Sequence, residues 1–109
     1  MTIIDISSQK DLNKYINNNK SNYKTFCFIT SENDWCLEFN NQIKELTDKI
    51  TNFNSGVIFT RVNVDDKDLA LDLEVATYPV IRIYKNGTIQ DEIFCLYPNI
   101  IEMVRGHFF

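Results

Sequence analysis

Glycine and proline are scarce, with three glycines and two prolines in 109 residues. That excludes collagen and the Gly/Pro-rich low-complexity chains. No apolar run approaches the ~18 residues that a membrane-spanning helix needs, so no membrane partner is expected. Histidine occurs once, at His107, and cysteine three times, at Cys27, Cys36 and Cys95, with no Cys-x-x-Cys pair. A zinc site wants four N/S ligands at short spacings and a disulfide scaffold wants paired cysteines; this chain offers neither. The odd count leaves at least one thiol free, which suits a reducing compartment. Met1–Asp5 lacks the basic and apolar regions of a secretory leader, so a cytoplasmic location is expected. The Asn-x-Ser/Thr triplets at Asn19 and Asn86 then carry no glycosylation meaning. Acidic residues outnumber basic ones, fifteen to eleven, for a net charge of −4. That balance argues against a nucleic-acid partner.

What is present is an ordinary globular composition, 44% apolar and 24% charged, in a length that suits one domain over residues 1–109. Ile3, Ile4 and Ile6 predict a short first strand. Ser7-Ser8 then offers an N-cap, followed by Leu12, Tyr15 and Ile16 at helical spacing. After an Asn-rich loop, Thr25–Thr30 is a nearly continuous apolar run, as a strand buried on both faces would be. Ser31-Glu32-Asn33-Asp34 breaks it and can cap a helix. From Trp35, the residues Phe39, Ile43, Leu46 and Ile50 recur at spacings of four, three and four, one face of a long helix. Val57–Val64 predicts a strand, Leu69–Val75 a short helix and its exit, and Pro79–Tyr84 another strand. Asn86-Gly87 is a strong hairpin signal leading into Thr88–Phe94. Ile100, Ile101 and Val104 suggest a final helix. Alternating strands and helices followed by a hairpin imply a mixed sheet with helices on both faces.

These residues resemble the thioredoxin family over essentially the whole chain. The resemblance rests on Val62-Asn63-Val64-Asp65-Asp66 with Asp68-Leu69-Ala70, on Val75-Ala76-Thr77-Tyr78-Pro79, and on Tyr84-Lys85-Asn86-Gly87. Trp35-Cys36 matches the Trp-Cys that opens the family's active-site motif. Tyr78-Pro79 is similar to the Tyr-Pro step of protein disulfide isomerase domains. The resemblance implies a thioredoxin-like α/β fold, a central mixed sheet flanked by helices on both faces, with a cis Tyr78–Pro79 bond. It also implies thiol–disulfide exchange. The departures are specific. The family's second cysteine falls at Phe39, its Gly-Pro is Leu37-Glu38, and no acid occupies Thr25–Thr30.

Cys36 is accordingly the candidate catalytic residue: an accessible thiol at a helix N-terminus, where the macrodipole favours the thiolate. Trp35, Tyr78 and Pro79 are candidate substrate-binding residues, because the turn before a cis-proline can pair with an extended peptide. Phe39 reads as core filler, so the chemistry expected is that of a monothiol thiol–disulfide oxidoreductase acting on protein or glutathione mixed disulfides. No bound cofactor or metal is expected, and glutathione is a candidate reductant. Cys95 is a candidate resolving cysteine, weighed against a small half-buried filler; Cys27 reads as inert core. His107 reads as a surface residue and Phe108–Phe109 as a candidate contact patch. Asp65, Asp66, Asp68 and Asp72 read as a solvated face and helix cap, not a metal site. The alternative function is a non-catalytic binding module similar to phosducin-like co-chaperones, with protein partners and no need for Cys36.

Overall fold

The apolar run at residues 25–30 forms the centre of the sheet. A computed structural model describes residues 3–17, 24–53 and 56–94 of the chain. The C-terminal helix expected from Ile100, together with Cys95, His107 and Phe108–Phe109, lies outside the described residues. The elements are β1 (Ile3–Asp5), α1 (Gln9–Ile16), β2 (Lys24–Thr30), a 3-10 turn (Asp34–Cys36), α2 (Leu37–Phe53), β3 (Val57–Asn63), α3 (Lys67–Asp72), β4 (Val80–Lys85) and β5 (Thr88–Phe94). They form a sheet of order β1-β3-β2-β4-β5. β1 and β2 run parallel to β3, whereas β4 runs antiparallel to both β2 and β5.

β2 has a strand on each side and a core on each face, which is why its sequence does not alternate. Phe26 and Phe28 point into one cluster with Phe39, Ile43, Leu46 and Ile50 of α2. Cys27 and Ile29 point the other way, into a cluster with Leu12 of α1 and Leu69 of α3. On the α2 side, Phe28 lies parallel to Phe59 at 6.0 Å and meets Phe39 edge-on at 6.1 Å. Burying four large α2 side chains contributes about 6–12 kcal/mol of gross hydrophobic stabilisation.

Local chemistry sets the boundaries. Ser8 caps α1, its Oγ accepting from the Asp11 N–H at 3.0 Å, while Asp11 Oδ2 accepts from the Ser7 N–H at 3.1 Å. Asp66 caps α3 by accepting from the Leu69 N–H at 3.2 Å. The β4–β5 turn needs two left-handed residues, and Asn86 (φ 56°) and Gly87 (φ 80°) supply them. A Cβ at position 87 would also fall 2.9 Å from Asn17 Oδ1.

One polar row crosses the sheet on the α1/α3 side. Thr60, Cys27, Arg82 and Glu92 are register partners on β3, β2, β4 and β5. The Arg82 side chain is 8% exposed and donates from Nε to Glu92 Oε2 at 3.3 Å. Its Nη1 donates to the Leu73 carbonyl at 2.6 Å and its Nη2 to the Glu74 carbonyl at 3.2 Å. Burial works against the Arg82 charge, but Tyr84 and Glu92 more than offset it, so its pKa is raised. Arg82 thereby fastens the exit of α3, where Glu74 sits at φ 54°, to the middle of the sheet. No helix among the described residues is long and apolar enough to cross a membrane.

Candidate functional site

Cys36 follows a loop that leaves the carboxyl end of β2, and a set of short polar side chains holds that loop. Thr30 Oγ1 donates to Asn40 Oδ1 at 2.6 Å, and Asn40 Nδ2 donates to the Ser31 carbonyl at 3.0 Å. Ser31 Oγ accepts from the Asn33 backbone N–H at 2.9 Å and from Asn33 Nδ2 at 2.6 Å. From the β3–α3 connection, Asp65 Oδ2 accepts from the Glu32 N–H at 3.0 Å. Loop, α2 and the end of β3 are thus tied together within a few residues of the cysteine. The Cys36 N–H closes the 3-10 turn on the Asn33 carbonyl at 2.9 Å.

Two expectations are corrected here. Asn33 precedes the helical turn but makes no side-chain cap to it; its amide turns back to Ser31 instead. Cys36 is not accessible: it is 0% exposed, the last residue of the 3-10 turn. The reason is rotational. Cys36 lies three residues before Phe39, so it heads the buried stripe 36-39-43-46-50, all of it 3% exposed or less. Trp35 lies off that stripe and is 58% exposed, as is Leu37 on the other side. The sequence held this signal, since starting the same periodicity at Cys36 gives equally good helical spacing.

Trp35 does not stand alone. Its ring lies 5.7 Å from that of Tyr78 at an angle of 31°. Tyr78 is half-buried, Pro79 is buried, and the peptide bond between them is cis. The structure therefore brings Trp35, Tyr78 and Pro79 to the segment that carries Cys36. Cys95 lies outside the described residues, so no geometry joins it to this group. Phe39, where the family's second cysteine falls, is 2% exposed and packed against Phe28.

Cys27 is the other described thiol and is chemically quiet. Burial pushes its pKa up to about 11, against smaller lowering effects from a hydrogen bond with Thr60 and from the Arg82 charge. It stays protonated at neutral pH and packs as a small apolar group. Among the described residues no group of three or more His, Cys, Asp or Glu is placed to hold a metal ion. The sequence reading missed the Thr30–Ser31–Asn33–Asn40 network and the Asp65 anchor. Short polar residues on both sides of a strand end were the available signal.

The thioredoxin family model matches residues 4–99, and the chain belongs to that family. Its fold is similar to that of Fasciola hepatica thioredoxin, with a TM-score of 0.79, 19% identity, and coverage of 98% of this chain and 100% of that one. Oxidised thioredoxin from Plasmodium falciparum gives a TM-score of 0.73 at 17% identity, covering 98% and 95%. Thioredoxin f2 from Chlamydomonas reinhardtii gives 0.72 at 18% identity, covering 97% and 96%. No curated protein sequence matches this chain.

Proposed function

We propose that the protein performs thiol–disulfide exchange through Cys36 alone, on protein or glutathione mixed disulfides, in a reducing cytoplasmic setting. The observation that carries the reading is the placing of Cys36 at the start of α2, on a pinned loop beside the Trp35–Tyr78 pair and the cis Tyr78–Pro79 turn. The Cys36 thiolate attacks one sulfur of a mixed disulfide R–S–S–R′. A Cys36–S–S–R bond forms, the original S–S bond breaks, and R′ leaves as a thiolate that takes up a proton. Phe39 cannot complete the cycle by attack from the next turn. Release of R then requires an external thiol such as glutathione: its thiolate attacks the R sulfur, a glutathione–S–S–R bond forms, the Cys36–S bond breaks, and Cys36 leaves as a thiolate that takes up a proton. Cys95 is the alternative resolving group within the chain. Trp35 and Tyr78 offer amphipathic ring surface to an extended peptide, and the Tyr78 backbone offers strand-like hydrogen bonding.

One observation favours a second reading. Cys36 is fully covered, and a covered thiol exchanges only in the fraction of molecules that uncovers it. A non-catalytic thioredoxin-fold module, similar in use to phosducin-like co-chaperones, tolerates that burial and keeps only the binding surface.

Alkylation of the folded protein by iodoacetamide across pH, with site mapping, separates the two. Exchange requires Cys36 to react well ahead of Cys27 and at a rate that rises with thiolate formation. Reaction of Cys36 as slow as that of Cys27 removes the exchange reading and leaves the binding module. Mild oxidation followed by mass mapping tests Cys95: a Cys36–Cys95 crosslink supports a resolving role, and glutathione adducts alone exclude it.

A further inference from the structure

The charge of this protein is not spread over it. Residues 65–74 carry Asp65, Asp66, Asp68, Asp72 and Glu74 against Lys67, a net −4, which equals the net charge of the whole chain. The other 99 residues hold ten acids and ten bases and sum to zero. All five of these acids are exposed.

The same segment carries apolar surface that the fold does not use. Leu71 is 76% exposed. It lines a shallow hollow of about 290 Å3 together with Val64, Lys67, Ala70 and Val75. Val75 also lines a second hollow of about 260 Å3, whose lining includes Ile89 and Phe94 of β5. Those two side chains are 47% and 46% exposed. Single exposed apolar residues need no explanation, but here Leu71, Ile89 and Phe94 line or border two neighbouring hollows that share Val75 in their linings. Glu74 and Glu92 also line the second hollow.

We propose that this surface, the outer side of α3 continued onto β5, docks a basic amphipathic segment of a partner protein. Its apolar side chains would enter the two hollows, and its Lys and Arg residues would face Asp68, Asp72 and Glu74. The charge chooses the occupant. Nucleic acid and anionic membrane are repelled by the same acids. A second copy meeting this one about a two-fold axis would bring the −4 segment against itself. The opposite charges also steer the partner on approach, a salt-dependent effect. This surface does not involve Cys36, so the proposal stands apart from the exchange reading.

The test is to pan a phage library of random short peptides against the folded full chain. Enrichment of peptides with Lys or Arg around two or more large apolar residues is expected. A synthetic consensus peptide should bind Leu71→Gln about tenfold or more weakly, the order expected when a leucine loses its burial. Binding should weaken again in Asp68→Asn/Asp72→Asn and on adding salt. Cys36→Ser should bind like the parent, so failure of the thiol chemistry leaves this result untouched. Asp68, Leu71 and Asp72 are exposed whereas Cys36 is buried, and thermal melts check that each variant folds. The proposal is overturned by an absence of enrichment, by enriched peptides that are acidic or uncharged, or by basic peptides indifferent to Leu71→Gln. Leu71-dependent self-association in sedimentation, or Leu71-dependent binding to phosphatidylserine vesicles, overturns it too.

Discussion

Phe39→Cys is the most informative substitution this structure offers. It restores a second thiol three residues after Cys36, where side chains on one helix face have Cβ atoms about 5–6 Å apart, within reach of disulfide formation after modest adjustment. The change also removes a ring that is 2% exposed and meets Phe28 edge-on at 6.1 Å. Truncating a buried Phe to Ala costs about 3–5 kcal/mol. An edge-on aromatic pair contributes about 0.5–1.5 kcal/mol beyond its area. Cysteine keeps a sulfur in the space, so the lower end, about 3 kcal/mol, is expected. A domain with roughly 5–15 kcal/mol of stability survives that loss, with Tm lowered by more than about 10 °C. Insulin reduction with dithiothreitol as electron source, run beside urea unfolding, reads both consequences. Turnover should rise in the variant while the unfolding midpoint falls. The reasoning is refuted if the parent chain already reduces insulin as fast as the variant, with Cys95 replaced by Ser in both. Loss of less than about 1 kcal/mol would refute the packing half, because an overpacked or loosely held Phe39 would then be indicated.

Gly87→Ala should lower stability by about 1 kcal/mol or more, measured by urea unfolding, because φ is 80° and the new methyl meets Asn17. An unchanged midpoint would show that the hairpin relaxes freely. Arg82→Met should cost about 1–3 kcal/mol, since the Leu73 and Glu74 carbonyls lose their donor while the exposed Glu92 carboxylate returns to water; a neutral result would mean that water replaces the guanidinium. For Cys27, the folded thiol titrates at about 11 against 9.0 for the unperturbed group. Below pH 9 both states hold the proton and there is no effect. Between about pH 9 and 11 only the unfolded state releases it, so stability should fall by about 1.4 kcal/mol per pH unit. Cys27→Ala should remove that component of the slope, and an identical slope in both proteins would exclude the assignment.

The sheet was legible because its signals are local and redundant. β2 announces burial on both faces by its lack of alternation, α2 by the stripe through Phe39, and the hairpin by Asn86-Gly87. The exposure of Cys36 was misjudged because a helical period states which residues share a face but not where the face begins. Trp35 and Cys36 are adjacent and both apolar, and a helix can bury only one of them on the stripe. The 3-10 turn decides, turning the larger ring outward onto Tyr78. The Arg82 clamp was invisible for a different reason. An arginine inside Val80–Lys85 carries no local mark of burial, and nothing local reveals that the carbonyls of Leu73 and Glu74 end beside it. Those contacts are made by tertiary placement, which no spacing encodes.

The burial of Cys36 connects the two functional readings by one quantity, the free energy needed to uncover the thiol. When the closed form dominates, the observed exchange rate is the intrinsic rate multiplied by the open fraction, and each ~1.4 kcal/mol of opening slows it tenfold. Opening at about 3 kcal/mol leaves on the order of one molecule in a hundred reactive, enough for a monothiol exchanger working slowly. Opening only by global unfolding, at roughly 5–15 kcal/mol, leaves the thiol silent and the protein a binding module. A partner alters this value if it binds the open form better than the closed one. Trp35 and Leu37, the residues on either side of the cysteine, are each 58% exposed. A partner that bound only the open form would uncover the thiol and admit the disulfide in one event. Catalysis and docking then differ in how far that equilibrium moves.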